Sequence, residues 1–352
     1  MANLNIVFMF FCSLLLVVFV SGNSYPFFNK IQLPPGVTGP ESAAFDAAGG
    51  GPYVSVTDGR VLKWDSKLNV FVEFAYTAPN REGILGQTRN HKYGWALEIF
   101  LRQYNNGTTD PNMGPICGRT LGLSFYYATE SLYIVDAYFG FLVVGPQGGL
   151  ALQLATSAEG VPFKFTDGVD VDQQSGHVFF THASETFDLW NATQPGFQPD
   201  STGRLLKYDP VTKQVIVLLR GLAGAGGPAV SFDSSFVLVS EYVGKRIQKF
   251  WLTGVKANTA EILINLPGNP NKIKRSETEG EYWVALNVIS QQPILFTAPQ
   301  GLRINGLGML LETLPLVTGY FNASIAVVQE QNSALYIGSR DTDFLGVFKK
   351  GP

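Results

Sequence analysis

A short apolar strand motif recurs six times along this 352-residue chain, and this repeat constrains the fold more than any other feature. Successive copies begin 80, 46, 59, 45 and 53 residues apart, at Tyr53, Tyr133, Phe179, Leu238, Trp283 and Tyr336. A period of roughly 40 to 50 residues is typical of β-propellers, in which each repeat forms one four-stranded sheet. The repeat therefore predicts an all-β fold, a six-bladed β-propeller.

Matching segments flank the six copies. Four preceding segments are predicted to form innermost strands, and three following segments share a basic-aromatic pattern: residues 40–46, 121–125, 167–172 and 228–233, then 59–64, 203–208 and 246–251. Residues 28–33 are expected to complete the last blade, since an unpaired terminal strand would leave an exposed edge. We therefore treat residues 23–352 as a single propeller domain.

Two segments interrupt the repeat. Residues 81–104 form an atypical insertion between the first and second blades, with helix-forming residues unlike their surroundings. Residues 185–202 separate the second and third strands of the third blade. Long connections in compact folds often carry function, so we expect this second segment to cover one face of the propeller.

The N-terminal region indicates the secretory pathway. An apolar run over residues 4–20 ends in small residues, which predicts a signal peptide over residues 1–22. A membrane anchor is the alternative, because the run is close to spanning length and no Lys or Arg precedes it. Sequons at Asn106, Asn191 and Asn322 are candidate glycosylation sites. The predicted location is the vacuole or the extracellular space.

Charge and cysteine content narrow the function classes. Twenty-five Lys and Arg against 28 Asp and Glu give a net charge of −3, so no basic excess favours nucleic acid as a partner. The chain has two cysteines, and Cys12 would leave with the signal peptide. Cys117 would then be the only cysteine of the mature chain, which is unusual in an oxidising compartment.

Several long motifs, in a consistent order over nearly all of the mature chain, resemble the plant strictosidine synthase family: residues 117–120, 132–138, 155–165, 202–210, 233–241 and 273–275. The family is related to the paraoxonase and gluconolactonase propellers. The resemblance implies a six-bladed propeller of the secretory or vacuolar system, associated with alkaloid biosynthesis. Strictosidine synthases are lyases that condense the amine of tryptamine with the aldehyde of secologanin, without cofactor or metal, using a glutamate as general base.

The chain departs from this family at the catalytic base. Aligned on residues 335–338, Ala326 stands where the resemblance places the glutamate and Ser324 where it places a histidine. Glu330 is four residues further on, roughly 13 Å along a strand and too far to replace the missing base. We therefore expect no strictosidine synthase activity.

The related calcium-dependent propellers imply a metal at the centre of the ring. Glu41 and Asp167 stand at two of the ligand positions, but Lys272 stands at a third, and an ammonium group cannot be a ligand. We hypothesise that Lys272 reaches the axis and pairs with both carboxylates in place of a metal. The alternative is that Lys272 points to solvent. We expect no metal and no cofactor.

The catalytic residues, if any, remain open at this point. Glu41, Asp167, Lys272 and His182 are the candidates for the channel. The leading prediction is a strictosidine synthase-like protein with a small-molecule channel, a small-molecule ligand or substrate, and no stable membrane span once the signal is cleaved. One alternative is an esterase or lactonase that uses Glu41, Asp167 and His182, although His182 also suits a plain strand end. Another is a non-enzymatic binding or cell-surface module.

Overall fold

The structure is a computed structural model that describes residue 25 and residues 27–79, 111–290 and 295–350. The predicted signal peptide (1–22), the insertion at 81–104 and the sequon at Asn106 lie outside the described residues. No helix among the described residues is long and apolar enough to cross a bilayer.

Six sheets follow one another along the chain, which confirms the predicted six-bladed propeller. They are antiparallel, except that residues 149–150 add a short parallel strand to the sheet of the first blade. The first described strand, β1 (Phe27–Gln32), belongs to the last blade. The first blade contains β2 (Ser42–Ala44), β3 (Tyr53–Ser55), β4 (Arg60–Asp65) and β5 (Val70–Tyr76). The second contains β6 (Thr120–Tyr126), β7 (Ser131–Asp136), β8 (Gly140–Val144) and, after the short β9 (Gly149–Leu150), β10 (Leu152–Ala155). The small hairpin of β11 (Ser157–Ala158) and β12 (Val161–Pro162) precedes the third blade, which contains β13 (Thr166–Val171), β14 (Val178–His182), β15 (Gly203–Asp209) and β16 (Gln214–Leu222).

The second half of the ring repeats this arrangement. Its blades contain β17 (Ala225–Val230), β18 (Phe236–Glu241), β19 (Arg246–Trp251) and β20 (Ala260–Asn265); then β21 (Asn269–Arg275), β22 (Glu281–Ser290), β23 (Phe296–Asn305) and β24 (Leu310–Pro315); then β25 (Ile325–Gln331), β26 (Ala334–Ser339) and β27 (Phe344–Lys349). The six repeat motifs lie in the second strand of each blade, and the segments predicted to be innermost lie in or directly beside β2, β6, β13 and β17.

The ring is closed by the N-terminal strand, as predicted. β1 pairs antiparallel with β27, from Phe27 opposite Lys349 to Gln32 opposite Phe344. Blade six is therefore built from both ends of the described chain, and β1 covers the edge of β27 that would otherwise be unpaired.

Helical structure is limited to short turns in the connections. These are a 3-10 turn (Pro111–Met113), α1 (Gly114–Cys117), α2 (Leu189–Ala192) and α3 (Val317–Tyr320). Cys117 is half-buried at the end of α1. Asp188 caps α2, its side chain accepting from the backbone N–H of Asn191 at 2.8 Å. α2 lies within the segment that separates β14 from β15.

The core lies between neighbouring blades. Most blades pack against a neighbouring blade on both faces. Their second strands are therefore nearly continuous runs of apolar residues, without the alternation of apolar and polar residues seen in a strand with one face in water. Between blades two and three, the ring of Phe141 stacks between Tyr133 and Phe180, with centroid distances of 5.6 and 4.6 Å. Aromatic pairs in such arrangements stabilise a fold beyond the burial of their apolar surface.

The innermost strands, which surround the axis of the ring, have register shifts near their starts. Five of the six strands carry one, at residues 120–122, 166–169, 225–228, 270–273 and 325–327. Neighbouring strands approach closely there, since a Cβ on Gly168 would lie 2.4 Å from the Cα of Gly227. A bulge redirects the side chains around it, and residues from these shifts line the site described next.

Candidate functional site

A cavity of about 550 Å³ lies on the axis of the propeller, at the end where the innermost strands begin. Every blade contributes to it near the start of its innermost strand, through Glu41, Leu121, Asp167, Ala225, Asn271 and Ala326. Its volume is in the range of sites that bind small organic molecules. We call it the first cavity.

An ion cluster of Glu41, Asp167 and Lys272 lies at this end of the axis. The Lys272 ammonium lies 3.1 Å from Asp167 Oδ1 and 3.7 Å from Glu41 Oε2, and it also donates to Asn271 Oδ1 at 3.4 Å. The lysine is 1% exposed. It therefore points to the axis and not to solvent, which is the geometry that our hypothesis requires. Whether the three residues act in function remains a prediction.

Glu41 is the more loosely held carboxylate of the cluster. It is buried, and its second charged neighbour, Arg340, lies 3.9 Å away, beyond hydrogen-bond distance. Burial raises the pKa of Glu41, and the positive charges of Lys272 and Arg340 oppose that shift. A buried carboxylate with a raised pKa facing a cavity is suited to accept a proton from a bound molecule.

The segment at 185–202 covers the first cavity. Phe187, Leu189 and Phe197 line it together with Phe165, and the rings of Phe187 and Phe197 pack edge to face at 4.9 Å. Asp200 joins the two ends of this segment by accepting hydrogen bonds from Ser184, Thr186 and Thr202. The cavity therefore has an apolar cover and an ionic floor.

The position of the absent base lies in the wall of the cavity. Ala326 and Ser324 both line the cavity. The wall therefore carries a methyl group and a hydroxyl group where the family resemblance places a carboxylate and an imidazole. Glu330 lies towards the other end of the same strand, where it accepts from Ser276 Oγ at 2.5 Å and from Trp283 Nε1 at 3.1 Å. It therefore does not replace the absent base.

His182 is buried away from the first cavity. The backbone N–H of Lys164 points at its Nε2 at 2.9 Å, and the Arg204 guanidinium points at its Nδ1 at 2.8 Å. Both ring nitrogens are thus covered by protein groups. Burial, together with the charge of Arg204, lowers the pKa of His182 to about 3. The predicted grouping of His182 with Glu41 and Asp167 is not what the structure contains, and the geometry does not support His182 as a base.

The donor set at the axis does not fit a calcium ion. Calcium needs six to eight oxygen ligands, and the ammonium between Glu41 and Asp167 supplies a positive charge and no lone pair. Within the described ranges, no three His, Cys, Asp or Glu residues form a group that could hold a metal.

Sequence reasoning missed two polar residues of the cavity. Neither Tyr242 nor Arg340 is among the residues that the sequence singles out, yet both line the cavity. Each directly follows the second strand of its blade, as does Ala183, which also lines it. In these three blades the position directly after the second strand was therefore a usable signal. Burial raises the pKa of the Tyr242 phenol.

Comparison with known proteins gives consistent matches. The strictosidine synthase family model matches residues 167–255. The chain is 39% identical over 348 residues to Strictosidine synthase-like 10 of Arabidopsis thaliana, which covers 91% of this chain and 87% of that protein. It is 36% identical over 331 residues to strictosidine synthase of Catharanthus roseus, covering 92% and 86%.

Solved structures show the same fold at much lower identity. A gluconolactonase from Xanthomonas campestris has a TM-score of 0.62 at 13% identity, covering 92% of this chain and 89% of that one. The calcium-binding protein regucalcin from Agrobacterium tumefaciens has a TM-score of 0.58 at 10% identity, covering 91% and 92%. These two likenesses concern the fold alone. The relatives at 39% and 36% identity each cover more than nine tenths of the chain, and the chain therefore belongs to the strictosidine synthase family.

Proposed function

We propose that this protein binds a small amphipathic organic molecule in the first cavity and does not form strictosidine. One observation carries the proposal: a cavity of about 550 Å³ has aromatic side chains over it, the ion cluster at its floor and Ala326 in its wall. The cover suits an apolar ring, and the cluster with Tyr242 and Arg340 suits a polar group. Glu41 is the residue we assign to any proton transfer in this cavity.

The expected absence of strictosidine synthase activity rests on Ala326 in the wall of the first cavity. The methyl group of Ala326 cannot accept a proton, and loss of a positioned general base costs about 10²- to 10⁴-fold in rate. Glu41 directly precedes the innermost strand of the first blade, whereas Ala326 lies on that of the sixth, so Glu41 does not occupy the place of the absent base.

A binding screen with a matched pair of variants tests the proposal. Thermal unfolding is measured with panels of amines, aldehydes and esters that include tryptamine and secologanin, and products are analysed by mass spectrometry. A ligand at 100 times its Kd stabilises the folded state by about 2.7 kcal/mol. We expect one chemical class to stabilise the protein and no strictosidine to form.

The variants decide where the ligand binds. Ala192→Trp places a large ring at a residue that lines the cavity, whereas Gln198→Trp changes an exposed residue of the same segment that does not line it. Ligand stabilisation should disappear only in Ala192→Trp. Strictosidine formation by the wild-type protein would refute the proposal, and so would stabilisation that both variants retain.

The same screen separates the two alternatives. Turnover of aryl esters that is lost in a His182 variant would favour a hydrolase of the esterase or lactonase kind. Stabilisation by a ligand without turnover of any panel member would favour a non-enzymatic binding or cell-surface module.

We further propose that the protein works in the secretory pathway, in the vacuole or outside the cell. The support is the apolar N-terminal run and the exposure of Asn191 and Asn322, which suits glycosylation. Edman sequencing of the protein from plant cells should begin after Gly22, and glycosidase treatment should increase its gel mobility. An intact N-terminus in a membrane fraction would instead indicate an anchor.

A further inference from the structure

A second cavity, of about 490 Å³, lies at the opposite end of the same innermost strands. In each strand that lines both cavities, the residues of the second cavity come later in the chain, as Leu123 follows Leu121 and Lys274 follows Asn271. Phe125 and Tyr282 supply aromatic walls. None of the residues of the first cavity takes part, so this is a separate site.

Lys274 is the unusual group of the second cavity. The residue is 7% exposed, and its Nζ donates to the main-chain oxygen of Leu123 at 2.9 Å. Within the described part of the chain it makes no ion pair within 4.0 Å. Asp170, the carboxylate that acts on it most strongly, already accepts from Arg275 at 3.2 Å and from the backbone N–H of Val230 at 2.9 Å. A nearly buried amine thus lines a cavity without a contacting counter-ion.

The charged groups around Lys274 favour its neutral form. Lys272, whose ammonium contacts Asp167, lies two residues before it on β21, and Arg275 follows directly. Burial, with these two charges, lowers the pKa of Lys274 to about 8, against the opposing effect of Asp170. At pH 7 roughly one such amine in ten is neutral, compared with fewer than one in a thousand for an ordinary lysine. A neutral amine still donates to Leu123 and gains a lone pair.

The charge of the second cavity disfavours an anionic ligand. Two basic residues, Lys274 and Arg275, line this cavity together with six acidic ones: Asp170, Asp172, Glu277, Glu279, Glu281 and Glu330. A carboxylate or phosphate would meet this excess of negative charge. An uncharged molecule with an apolar body fits both the charge and the aromatic walls.

We propose that Lys274 is a reactive amine that forms a reversible Schiff base with an uncharged aldehyde or ketone in the second cavity. The nitrogen lone pair adds to the carbonyl carbon, the former carbonyl oxygen takes up a proton as the nitrogen loses one, and the resulting carbinolamine loses water to give the imine. One C=N bond and one water molecule replace one C=O bond and two N–H bonds. The step needs no oxidant, reductant or cofactor.

Reductive trapping of the wild-type protein tests this proposal. Benzaldehyde at limiting concentration and pH 7 is added with sodium cyanoborohydride, which reduces an imine to a stable secondary amine, and labelled lysines are quantified by peptide mass spectrometry. Lys274 should be labelled at least tenfold faster than the exposed Lys256 in the same digest. Equal or slower labelling of Lys274 would overturn the proposal.

Two internal comparisons sharpen the result. Lys249 is also nearly buried, 4% exposed, and burial lowers its pKa too, but it lies over the rings of Phe236 and Trp251 and does not line the second cavity. Labelling of Lys249 as fast as Lys274 would show that burial alone is responsible and would refute a site. Glyoxylate, an anionic aldehyde, should label Lys274 more slowly than benzaldehyde, and faster labelling would overturn the assignment of an uncharged ligand.

The outcome is separable from that of the first cavity. Ala192→Trp changes the cover of the first cavity and should leave trapping at Lys274 unchanged. Loss of trapping in that variant would mean that the aldehyde enters through the first cavity, which would contradict a separate site. Failure to find a ligand for the first cavity bears on the proposed function and not on Lys274.

Discussion

Lys272 is the residue on which the arrangement of charges along the axis depends. Its ammonium lies between two carboxylates from other blades; Lys272 and Glu41 are buried, and the Asp167 side chain is 15% exposed. Burying ions is costly, and the cost is tolerated only while each charge has its partner. Lys272 therefore holds Glu41 and Asp167 in place and contributes to the environment of Lys274.

Removing this lysine should destabilise the fold. Lys272→Met leaves the buried Glu41 and the partly exposed Asp167 without this cation, and we expect a loss at the lower end of the range for breaking a buried pair, about 3 kcal/mol. The free energy of unfolding in urea measures this, with the exposed Lys245→Met as the matched control at the same cavity. Adding Asp167→Asn to Lys272→Met should restore part of the loss. A Lys272→Met protein as stable as the control would contradict the role of the cluster.

His182 should make the stability of the protein depend on pH. Its pKa is about 3 in the folded protein and 6.5 for an unperturbed histidine. Between these values the unfolded chain binds more protons than the folded one, so the free energy of unfolding falls as pH is lowered from 6.5 towards 3. The slope is at most about 1.4 kcal/mol per pH unit.

Two glutamine variants isolate this contribution. His182→Gln should lose the slope between pH 6.5 and 5 in urea titrations, whatever its absolute stability. His177→Gln changes a histidine whose side chain is 32% exposed and should keep it. If His182→Gln keeps the wild-type slope, the histidine is not held neutral in the folded protein.

At the scale of elements, the segment at 185–202 covers the first cavity through Phe187, Leu189 and Phe197. Apart from the four-residue α2 it lacks regular secondary structure, and side-chain hydrogen bonds to Asp200 connect its start to its end. Segments with few buried contacts open locally at a lower free energy than the sheets that carry them. Asp200 is therefore expected to set how often this cover opens.

Removal of the Asp200 carboxylate should loosen the cover without unfolding the blades. Hydrogen bonds to a charged group contribute about 1.5–3 kcal/mol. A loss of about 2 kcal/mol in local opening corresponds to roughly 30-fold faster proteolysis between residues 186 and 199 in Asp200→Ala. Asp209→Ala, which alters a turn at the end of β15, is the control. Equal cleavage rates in the two variants would show that Asp200 does not hold the segment.

At the scale of the molecule, the propeller depends on the closing strand. β1 comes from the start of the described chain and completes a blade whose other strands come from its end. Phe28 on this strand contacts the rings of Tyr320, Phe344 and Phe348, with centroid distances of 6.4, 6.4 and 4.7 Å. Closure is thus held by side-chain packing as well as by the strand pairing.

Adjacent phenylalanines of β1 provide a direct test of closure. Phe28→Ala removes a ring from the core of blade six and should lower the free energy of unfolding by about 2 kcal/mol, less than for a fully buried ring. Phe27, its neighbour, is 52% exposed, and Phe27→Ala should change stability by less than about 0.5 kcal/mol. Urea unfolding measures both. Equal effects would mean that β1 contributes no specific packing.

The sequence predicts the blades better than it predicts the site. The repeat identifies the second strand of every blade, and the closing strand follows because a propeller needs paired edges. Glu41, Asp167 and Lys272 could be singled out because the family resemblance marks their places. His182 could not be oriented, since its environment depends on Lys164 and Arg204. The second cavity was missed because Lys274 and its neighbours come together only in the closed ring.

A crystal structure with the best ligand of the binding screen tests the central claim most directly. We predict an organic molecule in the first cavity, in contact with the 185–202 segment and near Glu41, with the Lys272 ammonium still between Glu41 and Asp167. A calcium ion bound by Glu41 and Asp167 with Lys272 displaced, or a ligand bound outside the first cavity, would contradict the proposed site.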